Sequence, residues 1–264
     1  MGTPFRQQQT NLSSTYNYLD WGYPNFNIDS TNLNEWSIPD DEFYKANPNR
    51  SQLENYSTQS GDVEVIFRNI ENRLIEEIHK ASAVVGCVAW LTSAAILQAL
   101  SFKYCQLIVQ KEDFLRPDIG ARSNWKQQLR GQYDALGKVD KWSLPGTISR
   151  MSYGGESDIE AVRCVGNYNR DKNPAFPRMH NKFLIFGDFS FRGDDEYPVM
   201  DPNAVWTGSF NLTKNAGFSL ENALIIRDKK IVNAYAQEYG QIAGLSEPLD
   251  WRSDWCSPQF RIGS

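Results

Sequence analysis

A chain of 264 residues with 41% hydrophobic side chains can hold one large domain, or a domain and an extension, with ample core. No apolar run reaches the length of a bilayer span, and residues 1–7 lack the apolar stretch of a secretion signal, so a soluble, cytoplasmic protein is expected. The net charge of -5 argues against a polyanionic partner only until its distribution is counted: residues 1–65 carry three basic and nine acidic side chains, net -6, whereas residues 103–182 carry fourteen basic and nine acidic, net +5.

Residues 1–60 are rich in Asn, Ser, Thr, Gln and Asp without a sustained period of 2 or 3.6, which reads as an irregular, acidic arm. They also carry Tyr16, Tyr18, Trp21, Tyr23, Phe26, Trp36, Phe43 and Tyr44, more aromatic surface than a free tail exposes. The arm is therefore expected to pack on the domain or across a dimer, with the folded domain over residues 61–264. From Val63 the pattern changes. Residues 63–67 predict a strand, and Ile70, Leu74, Ile75 and Ile78 recur at helical spacing. Residues 83–90 are continuously apolar, as a strand covered on both faces must be, and Thr92 and Ser93 can cap a helix running through Leu100. Residues 105–109 form the next strand. This alternation predicts an α/β fold with a mixed sheet flanked by helices on both faces.

Residues 111–160 carry the weakest pattern. Arg122, Lys126 and Arg130 recur every four residues and would form one basic stripe on a helix, with Trp125 and Leu129 facing away. Such a stripe is either a solvated face or a surface that tracks phosphates. Residues 161–165 predict a further strand, and Arg170, Lys172 and Arg178 lie in the loop that follows. Two more apolar strands, 182–186 and 204–206, are separated by a long acidic segment, 189–203, expected to protrude as a hairpin or flap at the rim of the site. Ile231, Ala234, Tyr235, Glu238 and Tyr239 mark a closing helix, and residues 248–264 a tail with Trp251, Trp255 and Phe260. The cysteines, Cys87, Cys105, Cys164 and Cys256, are scattered, the first three in apolar strand contexts, and read as reduced thiols rather than a disulfide frame or a zinc site.

The chemistry concentrates at one place. His180 and Lys182 are two apart, so with residues 182–186 extended both polar heads point to one face, an imidazole beside an ammonium that suits a phosphate. The next strand runs into Gly208 and Ser209, Asn211 follows at a turn position, and Glu221 and Asn222 come shortly after. His-x-Lys, an acidic residue, Gly-Ser-x-x-Asn and Glu-Asn in this order resemble the phospholipase D superfamily, and within it the single-motif nucleases that work as homodimers. The resemblance extends over roughly residues 62–245. One spacing departs from it: the position the family gives to its acid is Gly187 here, and Asp188 is one step later. In the family that acid is structural, so the departure bears on local geometry rather than on the chemistry.

The chain holds two histidines, His79 and His180. His79 lies near a helix end, where a cation complements the dipole, and reads as structural. Hydrolysing a phosphodiester through a covalent intermediate needs a nucleophile and an acid for the leaving oxygen. If both are imidazoles, the chain has to supply His180 twice, and a twofold homodimer does so. The resemblance implies that one His180 attacks phosphorus to give a phosphohistidine while its symmetry mate protonates the leaving alcohol. It also implies that Glu221 orients the imidazole and that Lys182, Asn211 and Ser209 bind the non-bridging oxygens, so that no metal and no cofactor is required. The expected partner is nucleic acid, DNA or RNA, met by Arg122, Lys126, Arg130 and Arg178. A phospholipase or cardiolipin hydrolase, and a protein that binds nucleic acid without cutting it, are the alternatives; the lipid reading needs an interfacial apolar surface, for which Trp251, Trp255 and Phe260 are candidates.

Overall fold

The computed structural model describes residues 55–112, 124–136, 138–140, 144, 158–166, 178–190 and 198–249. In chain order these form β1 (Thr58–Ser60), β2 (Val63–Ile66), α1 (Ile70–Lys80), β3 (Ala83–Val88), α2 (Ala94–Leu100), β4 (Tyr104–Gln110), α3 (Trp125–Asp134), β5 (Lys138–Asp140), β6 (Asp158–Glu160), β7 (Val162–Val165), β8 (Lys182–Ser190), β9 (Val199–Gly208), a 3-10 turn (Asn215–Phe218), β10 (Ala223–Ile226), α4 (Lys229–Leu245) and β11 (Glu247–Pro248). Among the described residues nine strands make one mixed sheet in the order β1-β2-β10-β9-β8-β3-β4-β7-β11, and β5 pairs with β6 apart from it. The neighbours β3, β4 and β7 are parallel, while β8, β9, β10 and β2 alternate in direction beside them.

Side chains alternate across the central strands and fill two cores. Val84 and Val88 join Leu184, Phe186, Ala204 and Trp206 against Leu74 and Ile78 of α1, Ile96 and Leu97 of α2 and Leu129 and Tyr133 of α3. Val85 and Cys87 join Phe183, Ile185 and Val205 against Val232, Ala236, Tyr239 and Ala243 of α4. Helices thus cover both faces, and all of β3 is buried, which is why it reads as an unbroken apolar run. Ser93 caps α2 by accepting from Ile96 N at 3.3 Å, and Asp228 caps α4 by accepting from Lys230 N at 2.9 Å and Ile231 N at 3.0 Å. Burial pushes the Cys105 thiol up to about 12 and that of Cys87 upward as well; these two and Cys164 are free thiols in the interior.

Several expectations change. Strand β1 begins inside the span read as irregular and pairs antiparallel with β2. On α3, Leu129 is buried at 3% and Trp125 is 44% exposed. Lys111 and Arg163 belong to the basic excess counted from 103 to 182, yet both are buried: Lys111 pairs with Glu247 at 2.6 Å, and Arg163 pairs with Glu160 at 2.7 Å and donates to Ser246. They neutralise the interior and offer nothing to a polyanion. Of the segment 189–203 expected at the rim of the site, the described residues 189–190 and 199–203 are strand instead. Strands β8 and β9 stay paired through Ser190 and Val199, so their connection leaves the end of the sheet opposite Lys182, roughly 25 Å away at strand rise. Residues 1–54, the connection 191–197, Arg122, Arg170, Lys172, Trp251, Trp255, Cys256 and Phe260 lie outside the described residues.

Candidate active site

The pairings bring five neighbouring strand ends together. Val88 of β3 stands opposite Lys182 of β8, Phe183 opposite Thr207 of β9, and Gly208 opposite Ala223 of β10. The residues just beyond these ends, Trp90, Glu112 after β4, His180, Ser209, Asn211 and Glu221, therefore gather at one end of the sheet. It is the end where the parallel strands present their carboxyl termini, the usual place for ligands in open α/β sheets.

His180 is exposed and Lys182 half-buried. Lys182 Nζ lies 3.2 Å from Nδ1 and 3.3 Å from Nε2 of His180, and donates to the His180 carbonyl at 3.0 Å. Near-equal distances to both ring nitrogens cannot be met in the ring plane without a clash, so the ammonium stands over a face of the ring. Both in-plane nitrogen directions stay uncommitted by Lys182, as an attacking lone pair requires. Burial, and then the charges of Lys182 and Arg178, hold the His180 pKa below its usual value, with Glu112 opposing. Burial also lowers the Lys182 pKa, which Glu221 partly restores.

The segment leading into His180 is held from the end of β4. Met179 N donates to Gln110 Oε1 at 2.7 Å, and Arg178 Nη2 donates to Glu112 Oε1 at 2.6 Å. The same carboxylate oxygen accepts from Trp90 Nε1 at 3.1 Å, and the Trp90 and His180 rings meet edge to face, 5.6 Å between centroids with planes at 81°. Arg178, expected to meet substrate, is paired to Glu112 and keeps 27% of its side chain exposed. Trp90 and Glu112 carry no motif signal in the sequence and were not among the expected site residues.

On the other side, Ser209 Oγ donates to Glu221 Oε2, while Asn222 N donates to Ser209 Oγ and Ser209 N to Asn222 O, both at 3.1 Å. This exchange is possible because Gly208 has φ 155°: a Cβ there would lie 2.3 Å from Asn222 O. Glu221 thus engages Ser209 and the charge of Lys182, and within the chain it makes no hydrogen bond to His180. Asn211 is fixed by its neighbour: Thr92 N and Ser93 N donate to Leu212 O at 2.8 and 3.0 Å, and Leu212 bridges Leu91. Its Oδ1 is buried without a hydrogen-bond partner. Asp188 sits at the far end of β8, accepting from Ser82 Oγ at 2.6 Å and Asn203 Nδ2 at 3.1 Å. It ties β3, β8 and β9 together and is structural. Of the basic stripe, half-buried Lys126 and exposed Arg130 lie on α3, whose Tyr133 Oη donates to Leu91 O at 2.6 Å beside Trp90.

The family described as "Cardiolipin synthase, PLD-like domain" matches residues 146–243, the stretch that carries His180, Lys182, Ser209, Asn211 and Glu221. The chain belongs to the phospholipase D superfamily, whose members are phosphodiesterases. It is 33% identical over 231 residues to an uncharacterized protein of Acanthamoeba polyphaga mimivirus, covering 80% of this chain and 76% of that one. Among solved structures it is similar to the phospholipase D family member Nuc from Salmonella typhimurium, at 17% identity and a TM-score of 0.42, over 72% of this chain and 98% of that one. It is also similar to NucT from Helicobacter pylori, at 17% identity and a TM-score of 0.40, over 68% and 93%.

Proposed function

We propose that the chain is a metal-independent nuclease that cleaves DNA or RNA through a phosphohistidine, in a site completed by a second copy across a twofold axis. The observation that carries this reading is the Lys182 ammonium over the face of a His180 ring whose pKa is held low. A neutral imidazole nitrogen attacks phosphorus, a P–N bond forms and the P–O bond to the leaving nucleoside breaks. The second copy's imidazolium gives that oxygen its proton. Water then attacks phosphorus, loses a proton to the same imidazole, and the P–N bond breaks to restore both rings. The charge on the non-bridging oxygens is met by the Lys182 ammoniums and by the Asn211 amide. Glu221 holds Ser209 and steadies the charged form of Lys182.

A second reading, a lipid phosphodiester as substrate, is favoured by Phe218 and Leu220, which are 39% and 54% exposed just ahead of Glu221. Purified protein incubated in EDTA with labelled DNA, labelled RNA and cardiolipin vesicles separates the readings. Cleavage of nucleic acid with trapping of a labelled enzyme at acid pH is the expected result. Release of phosphatidic acid with intact nucleic acid would replace the nuclease by the lipid reading.

A further inference from the structure

We infer that Trp90 and Glu112 are positioning residues for the His180 imidazole, acting from the ends of two adjacent strands. This rests on the reading of His180 as the nucleophile. An imidazole at the start of a strand turns about two side-chain bonds, and in-line attack on phosphorus tolerates little of that rotation. Lys182 limits it from one face of the ring, and Trp90 is the aromatic contact that limits it further.

The indole is itself fixed. Its N–H donates to Glu112 Oε1 at 3.1 Å, and the same oxygen takes Arg178 Nη2 at 2.6 Å, two residues before His180. One carboxylate, its side chain 11% exposed, therefore binds both the ring that packs on His180 and the segment that carries His180. Its charge opposes those of Arg178 and Lys182 at the imidazole, so removing it would take away the carboxylate paired with Arg178 and leave the ring facing both cations without it. Nothing in these contacts touches a reacting atom: the pair acts through the orientation of the ring.

Three variants separate the parts. Trp90→Phe keeps a ring and loses the N–H, Trp90→Leu loses both, and Glu112→Gln keeps an acceptor for Trp90 and loses the charge that holds Arg178. Turnover of bis(4-nitrophenyl) phosphate and nitrogen-proton spectra of the two histidine rings are measured on each. We expect kcat to fall about 10-fold in Trp90→Phe and Glu112→Gln and on the order of 100-fold in Trp90→Leu, with KM within about twofold. The His180 ring signals should shift while those of His79 stay in place. Unchanged kcat and unchanged His180 signals in Trp90→Leu would overturn the inference, as would losses accompanied by equal shifts at His79, which mark general loosening. If the wild type cleaved no phosphodiester the proposed function would fall, and the ring signals would still decide whether Trp90 and Glu112 position His180.

Discussion

The Lys182 ammonium lies 3.2 Å from one ring nitrogen of His180 and 3.3 Å from the other, over the face of the imidazole. A cation there adds to the effect of burial in disfavouring protonation of the ring, without blocking either nitrogen in its plane; in the proposed reaction the same ammonium would supply a charge for phosphate oxygens.

Replacing His180 by Ala or Asn should lower turnover on the order of 10³-fold or more, because both imidazoles of the proposed symmetric site would vanish together. His79 is exposed at the end of α1, and its carbonyl accepts from Lys103 Nζ at 3.0 Å. His79→Ala should leave turnover within about twofold. Steady-state rates check both, and equal losses in the two variants would end the case for a shared His180 pair.

Burial, Lys182 and Arg178 together predict that His180 titrates below about 6.5 in the folded protein. Its proton is then taken up by the unfolded chain first. The resulting penalty on stability is absent above about pH 6.5 and grows as pH falls toward the folded pKa. Lys182→Met should raise the His180 pKa, since it removes the second cause after burial. Titration of the ring signals measures this directly; a wild-type value above 6.5 would contradict it.

Activity should persist in excess EDTA, because the phosphate charge is assigned to Lys182 and Asn211. Restoration by magnesium after loss on chelation would refute that assignment. Mixed with wild type, a Lys182→Ala chain should give heterodimers whose activity departs from the linear average of independent sites.

Gly208→Ala should destabilise the protein by about 1–3 kcal/mol and slow turnover, since its Cβ would lie 2.3 Å from Asn222 O and force apart the strand ends that hold Ser209 and Glu221. Gly131→Ala on α3 has nothing within 4 Å and should stabilise by about 0.4–1 kcal/mol. Thermal melts of the two variants give the comparison, and equal melting temperatures would remove the packing argument.

Neutralising Arg122, Lys126 and Arg130 together should weaken DNA binding and flatten its dependence on salt while leaving saturating turnover in place. Affinity measured across a salt series tests it. An unchanged slope makes the stripe a solvated face.

Local pattern carried a large part of the fold. Ile70, Leu74 and Ile78 announced α1, and the apolar run of β3 announced a strand covered on both faces, because helical period and burial are written into neighbouring residues. The site was half legible for the same reason: His180 and Lys182 alternate onto one face, and Ser209, Asn211 and Glu221 follow in a recognisable order. The direction of the β8–β9 hairpin was not, since Ser190 pairing with Val199 depends on register rather than composition.

The sequence by itself determined the element types, the burial of the central strands and the placing of His180 beside Lys182. Only the tertiary structure decided that Trp90 and Arg178 meet at Glu112, across 22 and 66 residues of chain, and that Asp188 reaches Ser82 across 106. It also decided that Lys111 and Arg163 are buried ion pairs. The physical reason is that side-chain period is a local quantity, whereas strand order and register follow from the sum of many distant contacts, each too weak to read from its own two residues.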